Sequence, residues 1–120
     1  MKRKPMTRAQ VAQKVWQVLI SAAHNRQVIT YELLAGLIDM GGPGTLAYPL
    51  GCVMYYCQER GWPALTVLVV KKKMGRPGTG LTTVLDQDAE RERVFAFEWF
   101  KQTPPSIEAL ESAHKEGSAV

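Results

Sequence analysis

The chain has 120 residues, a formal net charge of +4 at pH 7, 46% hydrophobic residues and 22% charged residues. This composition is that of one ordinary globular domain rather than of a disordered chain. No apolar run approaches the roughly 18 residues that a membrane span needs, so the sequence predicts no membrane partner. The basic start Met1–Lys4 lacks a following apolar core, and there are only two cysteines. We therefore expect no secretory signal, reduced thiols and a cytoplasmic location.

Charge is divided unevenly along the chain. Residues 1–80 carry eleven Lys or Arg against three Asp or Glu, a net charge of +8. Residues 81–120 carry four against eight, a net charge of −4. Such an asymmetry favours a first part that faces a polyanion and an acidic second part. A chance distribution over a solvated surface is the other interpretation.

The first segments predict a basic arm followed by a long amphipathic helix. Residues 1–6 are expected to form the flexible arm. Thr7 is placed to cap a helix that reaches about Asn25. Residues 27–29 then form a short β-prone stretch. The apolar positions of the helix recur at helical spacing and are Val11, Val15, Val18, Leu19 and Ala22.

Two further helices are separated by a glycine-rich turn. Thr30 is placed to cap a helix over residues 31–38. Residues 40–44 cannot continue a helix, and Thr45 is placed to cap a third helix that reaches about Arg60. Residues 61–63 end this third helix. The residues of the second helix that we expect to face inward are Leu33, Leu34 and Leu37.

The second half of the chain predicts a strand, a basic loop and more helix. Ala64–Val70 is apolar and rich in β-branched residues, which predicts a buried strand. A basic glycine-rich loop and a returning strand over residues 81–85 follow. A helix is expected over residues 89–101, where an aromatic cluster includes Phe95, Phe97, Trp99 and Phe100.

This order of elements predicts an α+β, mainly helical fold. It is that of a single winged helix-turn-helix domain over residues 7–103, with a small β-wing and a C-terminal helix. Residues 104–120 are expected to add a short acidic helix and a frayed tail.

Three short motifs strengthen the winged-helix interpretation. Residues 15–19 read Val-Trp-Gln-Val-Leu, residues 30–35 read Thr-Tyr-Glu-Leu-Leu-Ala, and Val69-Val70 precedes the glycine-rich run of residues 75–80. Their order resembles the C-terminal domain of O6-alkylguanine-DNA alkyltransferases and of alkyltransferase-like proteins that lack the acceptor cysteine. The resemblance covers about residues 15–80.

The resemblance implies DNA contacts for some residues, but the residues that carry out alkyl transfer in the family are absent from this chain. Tyr31 matches the family's helix-start tyrosine, which contacts the DNA backbone and helps to rotate the target nucleotide; a half-buried packing role is the alternative. Tyr48 falls where the family has its intercalating arginine. Thr66 replaces the reacting cysteine, and Val67 replaces the histidine that activates it. A threonine hydroxyl without a base is a poor nucleophile, so alkyl transfer to Thr66 is not expected.

The remaining reactive side chains predict no enzyme. Cys52 and Cys57 lie five residues apart on one helix, so they point about 140° apart, and buried packing is the better account of both. His24 and His114 show no sign of converging. The acids at residues 86, 88 and 90 lack calcium-loop spacing. The sequence therefore predicts no catalytic residue, no metal and no cofactor.

Two functions follow from this interpretation. The first is a non-catalytic nucleic-acid-binding protein that binds double-stranded DNA and senses a modified base, in a pocket bordered by Tyr31, Trp62 and Thr66. The predicted DNA-binding residues are Tyr31, Thr45, Tyr48, Lys71, Lys72, Lys73 and Arg76.

The second function is an interaction or sequestering module, including a phage-encoded or defence-linked binder. The third helix is apolar and aromatic between Tyr48 and Tyr56, and its first three turns lack the Arg, Asn and Gln side chains that dominate base readout. Such a surface suits a protein partner, a homodimer face or a small nucleotide-like ligand. Burial of these tyrosines within the domain would remove the main support for this function.

Overall fold

Helices dominate the part of the chain that the structure describes, which is residues 7–38, 46–71 and 87–119 of a computed structural model. Two short strands and two 3-10 turns, Leu65–Leu68 and Trp99–Lys101, complete the architecture of these residues. In chain order the helices and strands are α1 (Arg8–His24), β1 (Ile29–Thr30), α2 (Tyr31–Leu37), α3 (Ala47–Arg60), β2 (Val69–Val70), α4 (Gln87–Ala96) and α5 (Ile107–Ser118).

Hydroxyl side chains begin three of these helices where the sequence predicts it. The Thr7 hydroxyl accepts a hydrogen bond from the Gln10 N–H at 3.1 Å, and the Gln10 side chain accepts one from the Thr7 N–H at 2.9 Å. This reciprocal pair satisfies two donors that a helix start otherwise leaves without partners. Thr30 caps α2 in the same manner, and Ser106 caps α5. The predicted caps of α1 and α2 are confirmed, as is the restart of a helix after residues 104–106. The predicted cap of the third helix by Thr45 is wrong, because α3 begins at Ala47 with Leu46 at its N-cap position and no side-chain cap hydrogen bond.

α3 is the central helix of the described fold. It packs against α1 on one side and against α5 on the other. Gly61 ends it in the left-handed conformation, with φ of 70°, which glycine adopts without steric cost. Its buried residues are Pro49, Leu50, Gly51, Cys52, Val53, Met54, Tyr56 and Cys57.

An aromatic cluster joins α1 to the end of α3 and to the segment after α4. The Trp16 ring lies edge-on to Tyr56 and to Trp99, each with ring centroids 5.6 Å apart. The Trp99 indole N–H donates to the Val94 carbonyl at 2.8 Å, which satisfies the polar group of a buried ring. Such edge-to-face pairs stabilise a core beyond the area that they bury. This cluster fixes the position of α1 against the second half of the chain.

The predicted strand over residues 64–70 is wrong for most of its length. Leu65–Leu68 forms a 3-10 turn, and only Val69–Val70 is a strand, which pairs in parallel with Ile29–Thr30. Every residue from Leu65 to Val69 is buried. A fully buried apolar run has no alternation, so its pattern does not distinguish a strand from a tight helical turn.

Other predicted boundaries change in smaller ways. Leu34 is buried in α2 as expected, but Leu33 and Leu37 are 56% and 60% exposed, so the inward-facing prediction is wrong for both. The helix expected over residues 89–101 ends at Ala96, and Trp99–Lys101 is a separate 3-10 turn. The acidic last helix reaches Ser118, so the predicted tail is helical to that point.

The described residues confirm the mainly helical α+β class, because five helices accompany a two-stranded sheet. The segments that are predicted to form the wing are not among the described residues. The arm of residues 1–6, the turn and cap of residues 39–45, and the glycine-rich loop and returning strand of residues 72–86 are outside the described residues. None of the helices that are described is long and apolar enough to cross a membrane.

Candidate nucleic-acid interface

One side of α1 presents a line of polar side chains to solvent. We call Gln10, Lys14, Gln17, Ser21 and Asn25 the α1 polar face. All five are exposed, and their spacing of three or four residues places them on one line along the helix. The opposite side of α1 is buried in the core. The helix therefore combines a fixed position with a continuous polar surface.

The charges that α1 and its flanking residues carry are all positive, and one of them, Arg26, pairs with Glu92 of α4 at 2.7 Å. Residues 1–31 contain no Asp or Glu and carry Lys2, Arg3, Lys4, Arg8, Lys14 and Arg26. By contrast, α5 exposes Glu108, Glu111 and Glu116. A polyanion is attracted to the first surface and repelled by the second. Glutamine, asparagine and lysine are also side chains that donate to base edges and phosphates.

Tyr48, the residue matched to the intercalating arginine, packs within its own chain. Its ring is half-buried and lies 4.3 Å, centroid to centroid, from the ring of His114 on α5. The Arg8 guanidinium stands over the same ring, 4.1 Å from its centroid. Burial, the main cause, raises the pKa of the Tyr48 hydroxyl above its ordinary value. Insertion of Tyr48 into a base step would require these contacts to break.

α5 covers the face of α3 that sequence reasoning assigned to a partner. The His114 ring lies against the place where a side chain on Gly51 would be, and the Tyr55 ring lies still closer to the corresponding place at Gly117. Tyr56 is turned into the core, where it contacts Trp16. The prediction of a protein partner or homodimer through the Tyr48–Tyr56 helix thus loses its main support. The cause lies in the tertiary structure, because α5, which is distant in sequence, covers this surface of α3.

The three residues of the predicted pocket have different surroundings. Tyr31 is half-buried at the start of α2. Trp62 belongs to the aromatic cluster, with the Arg60 guanidinium 5.5 Å from its ring centroid. Thr66 has no exposed surface at all. A modified base could therefore reach Thr66 only if neighbouring core residues moved.

The predicted wing contacts are described only at their start. Lys71 follows β2 and is exposed, as a phosphate contact requires. Thr45, Lys72, Lys73 and Arg76 lie outside the described residues.

Neither thiol has the character of a nucleophile. Burial raises the pKa of the Cys52 thiol to about 11 and that of the Cys57 thiol to about 12. The thiolate is the reactive form of cysteine, and it is scarce near neutral pH at such pKa values. Within residues 7–38, 46–71 and 87–119, no group of His, Cys, Asp and Glu side chains is arranged to hold a metal ion.

A cavity lies beside the C-terminal end of α1. It has a volume of about 300 Å³ and is lined by His24 and residues 95–101; we call it the aromatic notch. Phe100 borders it and is 59% exposed. The sequence shows the aromatic residues as one cluster, but it does not reveal that Trp99 turns into the core while Phe100 turns outward. The helical break after Ala96 causes this separation.

Comparison with known proteins identifies no relative: no family model, no curated protein and no solved structure matches the chain.

Proposed function

We propose that this chain is a non-catalytic nucleic-acid-binding protein, related in its element order to alkyltransferase-like winged-helix proteins. The observation that carries the proposal is the α1 polar face, an exposed line of three amide side chains, one serine and one lysine within 31 residues that contain no acid. Phosphate contacts from basic side chains supply most of the affinity in such complexes. The arm of residues 1–6 would add three further cations to the same surface.

The proposal differs from the family resemblance in the helix that meets the nucleic acid. In the resemblance, the third helix enters a groove. In this chain α5 and α1 enclose α3, whereas the α1 polar face is open along its whole length. We therefore assign the main contact to α1 and the arm, with Lys71 and the wing lysines as a second set of phosphate contacts.

The buried thiols and the buried Thr66 support binding without alkyl transfer. A repair transferase needs an acceptor that is both acidic enough to ionise and open to the alkylated base. The pKa values of Cys52 and Cys57 are raised, and Thr66 has no exposed surface. Recognition of an O6-alkylated guanine, if it occurs, would leave the base unchanged.

The test compares two lysines that are both exposed and both lie on a helix. Lys14 belongs to the α1 polar face, and Lys115 is an exposed helical lysine on the acidic α5. Affinity for a labelled duplex is measured by fluorescence anisotropy across a salt series. Lys14→Ala should weaken binding on all sequences and reduce the salt slope by about 1, because it removes one phosphate contact. Lys115→Ala should change neither quantity.

Three further results decide between the remaining alternatives. Failure of the wild-type chain to bind any nucleic acid at low salt would refute the proposal. Equal effects of the two lysine substitutions would refute the assignment to α1. Tighter binding to a duplex with O6-alkylguanine than to its guanine counterpart would add damage sensing, whereas equal binding would leave a general nucleic-acid-binding protein.

A further inference from the structure

The aromatic notch is a second feature of the surface that the α1 polar face does not explain. Most of the Phe100 ring is in water, although large apolar side chains are more often buried in a folded protein. Phe95 and Phe97 are half-buried beside it. Three phenylalanine rings around one cavity of about 300 Å³ form an apolar, concave surface of the size that small planar ligands occupy.

The Phe100 ring has an aromatic neighbour at the edge of the notch. The His24 ring at the end of α1 meets it edge-on, with centroids 5.2 Å apart and planes at 81°. On the inner side of the notch, Phe97 packs against Trp99 with centroids 4.4 Å apart, and Trp99 is anchored in the core. An edge-to-face contact favours one orientation of an exposed ring, and a ring with fewer orientations loses less conformational entropy when a second ring stacks on it.

Two exposed ion pairs lie beside the notch. Arg26 pairs with Glu92 at 2.7 Å, and Lys101 pairs with Glu98 at 3.1 Å. All four side chains are more than half exposed, and ion pairs of this kind contribute little to stability. Either cation can therefore exchange its glutamate for a phosphate. The pairs cancel in charge, so attraction at the notch itself depends on ring stacking.

The notch continues the α1 polar face. His24 lines the notch and directly precedes Asn25, the last residue of the polar face. A strand whose phosphates follow α1 would arrive at the Phe100 ring at its end. Aromatic rings next to a basic surface are the usual means of binding unpaired bases, because each base offers a flat face.

We infer that the aromatic notch binds an unpaired base of a single-stranded nucleic-acid segment, by stacking on Phe100, while the adjoining phosphates meet Arg26 and Lys101. This inference rests on the proposed function and specifies the kind of nucleic acid that the chain prefers. The site is distinct from the predicted pocket of Tyr31, Trp62 and Thr66, because none of those residues lines the notch.

The experiment measures the affinity of the full chain for single strands by fluorescence anisotropy. The probes are a DNA strand, an RNA strand of the same sequence, an abasic DNA strand of the same length and a blunt duplex. Phe100→Ala should weaken binding to the base-containing strands by about 5- to 100-fold, because stacking of one base on an aromatic ring is lost. The salt slope should stay unchanged, since no cation is removed.

Three variants separate stacking from other roles of the side chain. Phe100→Tyr keeps the aromatic face and should bind as the wild type does, whereas Phe100→Leu keeps an apolar side chain and should bind as weakly as Phe100→Ala. Leu37→Ala is the matched control, because Leu37 is 60% exposed and lies on α2. It removes a similarly exposed apolar side chain and should leave the affinity unchanged.

Several outcomes would overturn the inference without touching the proposed function. These are wild-type affinity in Phe100→Ala or in Phe100→Leu, equal binding of the abasic and base-containing strands, and binding of the blunt duplex alone. The DNA and RNA arms show which of the two strands the notch accepts. If the wild-type chain binds none of the four probes at low salt, the proposed function itself fails.

Discussion

α1 and α3 are the two long helices of the first half of the chain, and their surroundings are opposite. α1 buries one side and exposes a line of polar residues on the other, whereas α3 is enclosed between α1 and α5. The resemblance to winged-helix proteins places the reading function on the third helix. The described fold leaves that helix little free surface, whereas α1 has an accessible side and no acid among its own residues.

The difference shows how tertiary position limits what a helix can do. The residues of α3 between Tyr48 and Tyr56 have the composition of an interaction surface, but that interaction is made within the chain. The glutamines and lysine of α1 have the composition of an ordinary solvated helix. They become a candidate interface because nothing in the described part of the chain covers them and because no acid lies nearby on α1.

The largest expected effect is on the free energy of unfolding, and it distinguishes the buried side of α1 from the exposed side. Trp16→Ala should reduce the free energy of unfolding by about 3–5 kcal/mol, because it empties the centre of the aromatic cluster. Gln17→Ala, one residue further on, should change it by less than about 0.5 kcal/mol, because Gln17 is exposed. Urea denaturation followed by circular dichroism measures both. If Trp16→Ala does not fold, Trp16→Phe provides a milder test, and a loss below about 0.5 kcal/mol there would contradict the central role of this ring.

The next effect tests the enclosure of α3. A Cβ at Gly51 would lie 2.9 Å from the His114 ring, which Tyr48 and Tyr55 hold in place. Gly51→Ala should therefore destabilise the fold by about 1–3 kcal/mol through overpacking.

The matched control is Gly36→Ala on α2, where a Cβ would meet no atom within 4 Å. It should stabilise the fold by about 0.4–1 kcal/mol, because alanine restricts the unfolded chain. Thermal melts of both variants give the sign of each change. Stabilisation by Gly51→Ala would mean that α5 does not pack against α3 in solution.

The last prediction concerns pH and the thiols of α3, whose titration leaves stability near neutral pH unchanged. Because burial raises the pKa values of Cys52 and Cys57 from 9.0 to about 11 and about 12, the unfolded chain loses these protons first. Their contribution to stability is complete below pH 9 and is lost progressively as the pH rises toward 12. A thiol-specific disulfide reagent at pH 8 should react slowly with the folded chain and rapidly in urea. Fast reaction of the folded chain would show that α3 is open to solvent.

Local rules were sufficient for the starts of α1 and α2. A hydroxyl residue followed by a helical pattern identifies Thr7 and Thr30, because capping depends only on neighbours within one turn. Gly61 likewise ends α3 through its own backbone freedom. These features could be predicted from the sequence because the interactions that decide them are local.

Features that depend on distant residues could not be predicted in this way. The 3-10 turn at Leu65–Leu68 is buried under helices from three other parts of the chain, and the Ala64 N–H before it donates to the Glu90 carboxylate on α4 at 2.6 Å. The covering of Tyr48 by His114 depends on α5, which begins nearly sixty residues later in the chain. The aromatic notch depends on a helical break that separates Trp99 from Phe100.

The parallel pair of β1 and β2 has a consequence for how the molecule assembles. Ile29 lies opposite Val69, about forty residues away, and the chain between them includes α2 and α3. Closing such a loop has an entropic cost, and two residues of pairing recover little of it unless the enclosed helices are already packed. We therefore expect this small sheet to form late in folding, after α1 and α3 have met. Backbone amides in the pair would then exchange with solvent each time that the α1–α3 packing opens. The hydrogen-exchange rate of these amides would therefore report how often α1 and α3 separate.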